Sequence, residues 1–441
     1  MTLIPLGFWA ASGAGGLSYW IATLGGSAEE TASSIAIDSS DNPHVFGFTT
    51  SSGQGGFDFI LAKYDTAGAI QWQRTLGAAD DENGHSVAID SSNNLYAFGY
   101  TTSAGAGSRD FLLAKYNSSG TLQWQVVLGG SGADFGRSVA IDSADNPYVF
   151  GWQNSAGAGS YDFLLAKYNS SGTLQWQRIL GGTGAEIGYS VAIDSSNNPY
   201  VLGYTTSTGE GSSDFLLAKY NSSGTIQWQR VLGGTGAEEG QSIAFDSSDN
   251  VYVCGFTDSE GTNRDSVFLA KYNSSGTVQW QRILGGSDTE EGYSVAIDSL
   301  DNVYAFGITS SAGEGIDDCL IAKYNSSGTI QWQRVLGSSG VEEGVSIAFD
   351  SLDNIYVLGE TSAGADGDNF LFAKLPNDGS LTGTYELDGV NFVYAASTLT
   401  AATSTLTAAT SSLTAATSTL TGATSTLTGA TPTFTTNLVE L

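Results

Sequence analysis

The chain has 441 residues, 45 acidic and 15 basic, for a formal net charge of −30 from only 14% charged residues. Hydrophobic residues at 41% and aromatics at 11% fill a sizeable core, which excludes a disordered chain. The scarcity of bases excludes the footprint of a nucleic-acid binder and any attraction to anionic lipid, and no apolar run reaches the roughly 18 residues of a membrane span.

The first segment, residues 1–17, is an apolar peptide ending in small residues. It has no Lys or Arg ahead of its apolar run, which argues against a secretory signal. From there a 52-residue ruler governs the chain. Trp20, Trp72, Trp124, Trp176, Trp228, Trp280 and Trp332 keep that spacing, as do Asp38, Asp90, Asp142, Asp194, Asp246, Asp298 and Asp350. An Asn stands four residues after each of these aspartates, and a Lys series runs from Lys63 to Lys374 with one late deletion. There are seven copies. Cys254 and Cys319 are isolated and read as small buried hydrophobes.

Each copy contains four strand signals. In the fourth these are SVAID at 190–194, YVLGY at 200–204, FLLAKY at 215–220 and TIQWQRVL at 225–232. All are short, rich in β-branched and aromatic residues, and bounded by Gly, Asn, Asp and Ser. Four antiparallel strands repeated seven times predict a seven-bladed β-propeller over residues 18–376. Closure around an axis buries both faces of every blade, which a lone meander cannot do. The first Trp strand precedes the first full repeat and the seventh repeat lacks one. The strand at 18–24 is therefore expected to complete the last blade, with 381–387 as competitor.

A linker is expected at 377–396, a heptad tail at 397–434 and a tip at 435–441. In the tail Leu399, Leu406, Leu413, Leu420 and Leu427 are spaced seven apart, with Ala three residues behind each. Leu and Ala at two positions of a heptad predict an oligomeric coiled coil. Poor helix formers and the absence of e/g charges leave a disordered Ser/Thr stalk and a β-type fibre repeat as alternatives.

The repeat G-x-S-V-A-I-D-S-x-x-N-x-Y-V-x-G followed by D-F-L-L-A-K-Y-N-S-S-G-T-x-Q-W resembles the bacterial seven-bladed propeller repeat known as SBBP. That resemblance implies the fold and an extracellular or surface setting, without implying one activity. The leader LIPLGFWAASGAGG and the Thr-Leu-Thr-Ala heptads resemble the termini of structural proteins from phages of marine cyanobacteria. This second resemblance implies a virion tail-fibre or appendage protein. Its N-terminal peptide would dock on other virion proteins and its heptads would make a homo-oligomer.

Catalysis finds little support. His44 and His85 occupy different phases of the repeat, and no GxSxG, HExxH, P-loop or Rossmann pattern is present. The expectation is a non-enzymatic protein without nucleic-acid partner, membrane span or cofactor. Glu30, Glu82, Asp134, Glu186, Glu238, Glu290 and Glu342 share one phase at the blade links. They could ring a channel mouth and offer oxygen ligands to Ca²⁺, or each could cap backbone N–H groups or pair with an Arg such as Arg178 or Arg230. The Asp38-type residues are expected to stabilise a turn, and the Trp series to fill the space between blades. Recognition belongs where the copies differ. Arg109, Trp152, Gln153, Tyr161, Asn263 and Arg264 depart from the consensus and are the candidate contacts for a host-surface glycan or protein. The expected location is a virion, with the bacterial surface or extracellular medium as the alternative.

Overall fold

The computed structural model describes residues 19–440 apart from residues 27, 261–263, 364–367, 388, 398, 405, 411–413, 418–420, 425–427 and 431–434; from 407 on it describes the backbone. The N-terminal peptide at 1–17 lies outside the described residues. Seven blades follow one another in chain order. Blade 4 consists of Glu186–Ile193, Pro199–Thr205, Asp214–Tyr220 and Ile226–Gly233, paired antiparallel in sequence order. Its two middle strands are buried on both faces because neighbouring blades cover both. Hence they read as nearly continuous apolar runs rather than alternating ones. At the first turn Asn197 takes a left-handed conformation, φ 63°, and Asp194 Oδ1 accepts the N–H groups of Ser196 and Asn198. The expected Asp turn is therefore present, in the form that Asn and Asp tolerate best.

Blades hold one another in three layers. Apolar side chains interdigitate in between: Tyr148, Phe150 and Leu165 of blade 3 pack with Val191, Leu216 and Val231 of blade 4. Each such fully buried side chain contributes about 1.5–3 kcal/mol. Around the channel a serine in each innermost strand accepts a backbone N–H from the next blade. The series runs from Ser34 with Val87 to Ser346 with Ile35, at 3.1–3.3 Å, and closes on itself. On the outer strands Trp176 Nε1 donates to Ser222 O of blade 4, while Arg178 donates to Gly224 O and Ser223 O of the same turn. The turn fits beneath the indole because Gly224, at φ 78°, has no Cβ; one would sit 3.0 Å from the Trp176 ring. The Trp series thus packs between blades as expected, and also latches the next blade's hairpin.

The ring closes through Trp20–Gly25, which pairs antiparallel with Asn369–Leu375 of blade 7. Gly383–Leu387 does not take that edge. It pairs with Val390–Ala396, which in turn pairs with the outer strand of blade 6.

The tail departs from the coiled-coil expectation. Its heptads form short strands, Thr400–Ala402, Thr407–Thr410, Thr414–Thr417, Thr421–Thr424 and Thr428–Ala430, ending in Thr435–Glu440. Each adds a fifth, antiparallel strand to one blade, taking blades 5, 4, 3, 2, 1 and 7 in turn. The register is constant: Thr400, Thr407, Thr414, Thr421, Thr428 and Thr435 pair with Gly285, Gly233, Gly181, Gly129, Gly77 and Gly25. Seven residues of tail therefore match 52 residues of propeller, counted backwards. The physical reason is twofold. Thr and mid-repeat Gly disfavour a helix, and the unpaired N–H and C=O groups of seven outer strands offer a template that a Thr-rich segment can satisfy. Leu399 and Leu406, the heptad leucines among the described side chains, are buried in the clusters between blades 5 and 6 and between blades 4 and 5. The regions drawn from sequence as linker, tail and tip are thus one belt around the rim.

The mouth of the channel as a candidate recognition site

The chain's 15 bases can be accounted for one by one. Seven lysines each pair with the turn Asp of their own blade, from Lys63–Asp38 at 2.7 Å to Lys323–Asp298 at 3.4 Å. Arg74, Arg178, Arg230, Arg282 and Arg334 donate to turn carbonyls of the following blade or segment. Arg264 pairs with Asp288 at 3.2 Å on the surface. Arg109 and Arg137 are left with neither a carboxylate nor a backbone-carbonyl partner among the described residues, and both lie at one side of one channel mouth.

They are held by aromatic rings instead. The Arg109 guanidinium carbon lies 4.8 Å from the Phe135 ring centre and 5.5 Å from that of Tyr100. Phe135 stacks on Trp152 at 5.0 Å and 18°. Arg137 follows, 4.8 Å from the Trp152 ring and 5.8 Å from Tyr189. The Nη1 of Arg137 lies 3.3 Å from His85 Nδ1, so the imidazole accepts and is neutral. Burial first, and then Arg137, push the His85 pKa well below its usual value. Cation–π contacts of this kind fix a guanidinium plane without neutralising its charge.

Across the channel the same repeat phases carry acids. Glu239, Glu291 and Glu343 stand where blade 3 has Phe135, and Glu360 stands where it has Trp152. Burial raises the pKa of all four, and Glu360 is pushed up to about 8, with Glu343 and Asp368 adding to the effect. Tyr189 Oη donates to Glu239 at 3.4 Å, and Tyr293 Oη donates to Glu291. Between the two arcs lies a cavity of about 490 Å³, lined by Arg137, His85, Tyr189, Gln241, Tyr293 and Glu343 together with the serine ring. The mouth is polar across its diameter, with cationic and aromatic groups on blades 2–4 and acidic groups on blades 5–7.

Of the candidates drawn from sequence, Arg109, Trp152 and Tyr161 come together here; Tyr161 lies 6.4 Å from Phe135. Trp152 is mostly covered, so it supports Arg137 rather than facing solvent. Gln153 is not at the surface. It is fully buried, and its amide exchanges hydrogen bonds with the backbone of Ala156. It stands cross-strand from Asp134, where other blades pair a Thr with a Glu. Arg264 is on blade 5, away from the cluster, and Asn263 lies outside the described residues. His85, Phe135, Arg137 and Tyr189 were missed in the sequence. Aligning all repeats at the phases of residues 31, 33 and 48 exposes them as a block of aromatic and basic substitutions.

The carboxylates at Glu30, Glu82, Asp134, Glu186, Glu238, Glu290 and Glu342 do not ring the mouth. All are fully buried at the blade links. Each caps the N–H four residues earlier at 2.5–2.8 Å and accepts a Thr or Ser hydroxyl at 2.7–3.0 Å. Backbone N–H and hydroxyl groups, not Arg178 or Arg230, are their partners. Among the described residues no group of three or more His, Cys, Asp or Glu is arranged to hold a metal ion. His44 is buried beside Asp38, and burial pushes the Cys254 thiol up to about 12 and that of Cys319 well above its usual value. Neither thiol is poised as a nucleophile.

Residues 175–209 and 227–261 match the SBBP β-propeller repeat family model, on the outer strands of blades 3 and 4 and the first strands of blades 4 and 5. Over 329 residues, 51% of this chain and 24% of the other, the protein is 20% identical to an uncharacterized WD repeat-containing protein of Acanthamoeba polyphaga mimivirus. It is 31% identical over 132 residues, 26% of this chain and 14% of the other, to the regulatory protein FlaEY of Caulobacter vibrioides. The matched regions make up a quarter or less of these curated relatives. Among solved structures, a catalytically inactive virginiamycin B lyase from Staphylococcus aureus with quinupristin aligns at TM-score 0.47 and 10% identity, covering 80% of this chain and 99% of that one. A glucose dehydrogenase aligns at TM-score 0.40 and 10% identity, over 65% and 94%. Neither likeness bears on activity.

Proposed function

We propose that this protein is a non-enzymatic recognition disc, a structural component of a virion tail fibre or appendage that contacts a host-surface glycan or protein through the channel mouth. The observation that carries this reading is the mouth itself. Arg109 and Arg137, with neither a carboxylate nor a carbonyl partner among the described residues of a chain of net charge −30, gather with Phe135, Trp152 and Tyr189, and Arg137 and Tyr189 line a cavity. The remainder of each blade repeats its neighbours nearly residue for residue, and repetition serves the common fold rather than a site. An uncompensated guanidinium on aromatic planes is a feature of binding surfaces. No described histidine or cysteine is placed for acid–base or nucleophilic work. On this reading residues 1–17 dock the disc on its virion neighbours. Immunogold labelling of purified particles tests the location: label on tails or appendages is expected, and label confined to host cell envelopes refutes it.

A second reading, a secreted bacterial surface propeller, is favoured by the SBBP match. N-terminal sequencing of the native protein separates the two: an intact leader fits docking, and loss of about the first 11 residues fits export.

A further inference from the structure

We propose, resting on the recognition reading above, that the mouth binds a saccharide residue carrying a single carboxylate, of the uronic or sialic acid class, with the carboxylate on Arg137. Charge supplies the first argument. Arg137 has one hydrogen-bond contact, to His85, and no carboxylate among the described residues lies within ion-pair distance. Its Nε is buried without a partner, while the residue lines the cavity. In a chain with three acids for each base, a guanidinium without a carboxylate partner and held 4.8 Å from the Trp152 ring centre is preorganised for an anion from outside. A planar carboxylate matches its fork.

The acidic arc sets the second condition. Glu343 in the lining, with Glu239 and Glu291 in the same repeat phase, would repel a second anionic group, which disfavours sulfated polymers and nucleic acid, whereas carboxylates accept hydrogen bonds from hydroxyls. A ligand with one negative group and several hydroxyls satisfies both arcs. The lining also presents hydroxyl and amide groups from Tyr189, Tyr293, Gln241 and the serines beside a few apolar side chains, Ala32, Phe48 and Val345, a mixture that suits the polar and apolar faces of a sugar. A cavity of about 490 Å³ is of the size that holds small ligands.

The test uses the full chain, with glucuronic acid and N-acetylneuraminic acid as probes. Glucose, N-acetylglucosamine and acetate are the controls, read by saturation-transfer NMR and calorimetry. Both acidic sugars are expected to bind at least tenfold more tightly than the neutral sugars and acetate. Arg137→Gln should lower that affinity tenfold or more, and Arg137→Lys should restore part of it. Glu343→Gln, at an exposed position, serves if the arginine variants fail to fold, and should weaken binding about threefold. Equal binding of neutral and acidic sugars, acetate binding as well as the sugar acids, or no response to Arg137→Gln and Glu343→Gln each overturns the proposal. Adhesion of labelled protein to a panel of marine bacterial cells keeps the two readings apart. Adhesion that neither Arg137→Gln nor sugar acids reduce sinks the ligand class and leaves recognition standing; adhesion to no cell type sinks recognition itself.

Discussion

Asp162 and Glu186 meet at the interface of blades 3 and 4, around Gly181 and Gly182. Gly181 must be glycine, because a Cβ there would lie 1.4 Å from Asp162 Oδ1, and Glu186 caps the N–H of Gly182. The pattern recurs at Asp58, Asp110, Asp214 and Asp318, while Ser266 and Asn369 replace the Asp in blades 5 and 7. Burial, opposed in part by backbone N–H groups and reinforced by the facing acid, pushes Asp58, Asp110 and Asp162 up to about 7, and Asp214 and Asp318 to about 6. A carboxyl raised in the folded state contributes stability that is complete below its unfolded value near 4 and is lost as pH rises through 6–7. Denaturant unfolding should therefore show stability falling between about pH 4 and pH 7.5. Asp162→Asn, which copies Asn369, should gain about 1–3 kcal/mol at pH 8 and change little at pH 4; a loss at pH 8 would refute the assignment. Glu238→Ala should cost about 1–3 kcal/mol by orphaning the Gly234 N–H and the Thr257 hydroxyl. EDTA should leave the melting temperature unchanged, which separates capping from a Ca²⁺ site. At this scale the Asp turns were legible because an Asx turn is local. The Lys partners were not, since Lys and Asp share the same 52-residue period and a period does not say who touches whom.

The belt carries the lesson at the scale of elements. A seven-residue period was plain, and Leu399 and Leu406 do mark buried positions, but the partner is the propeller rim rather than a second helix. Heptad reasoning presumes that the matching surface also repeats every seven residues. Here it repeats every 52, so each heptad sets one short strand of constant register on a different blade. Deleting residues 397–441 should leave the seven-blade ring folded with a lower melting temperature and a tendency to aggregate through six bared outer strands, measured by scanning calorimetry and light scattering. Far-UV circular dichroism of the deletion should show no loss of helical signal; a clear loss would restore the coiled coil. Leu406→Asp should destabilise by about 2–4 kcal/mol, because it places an unpaired charge in the cluster between blades 4 and 5.

The whole molecule is a ring closed twice, once by Trp20–Gly25 beside Asn369–Leu375 and again by Thr435–Glu440 on the free edge of that same first strand. A tail spent on its own rim is not available to join copies, so light scattering behind size exclusion should return a monomer near 45.7 kDa. A discrete oligomer that persists at low concentration would mean that tails exchange between rings. The four core strands of each blade, the blade number, the turn chemistry and the phase of closure were determined by the sequence itself, because each follows from local propensity multiplied by a 52-residue period. The destination of the tail and the meeting of Arg109, Phe135, Trp152, Arg137 and Tyr189 were decided only by tertiary structure. Both depend on contacts between segments far apart in sequence, and a linear period says which positions are equivalent, not which of them touch once the ring has closed.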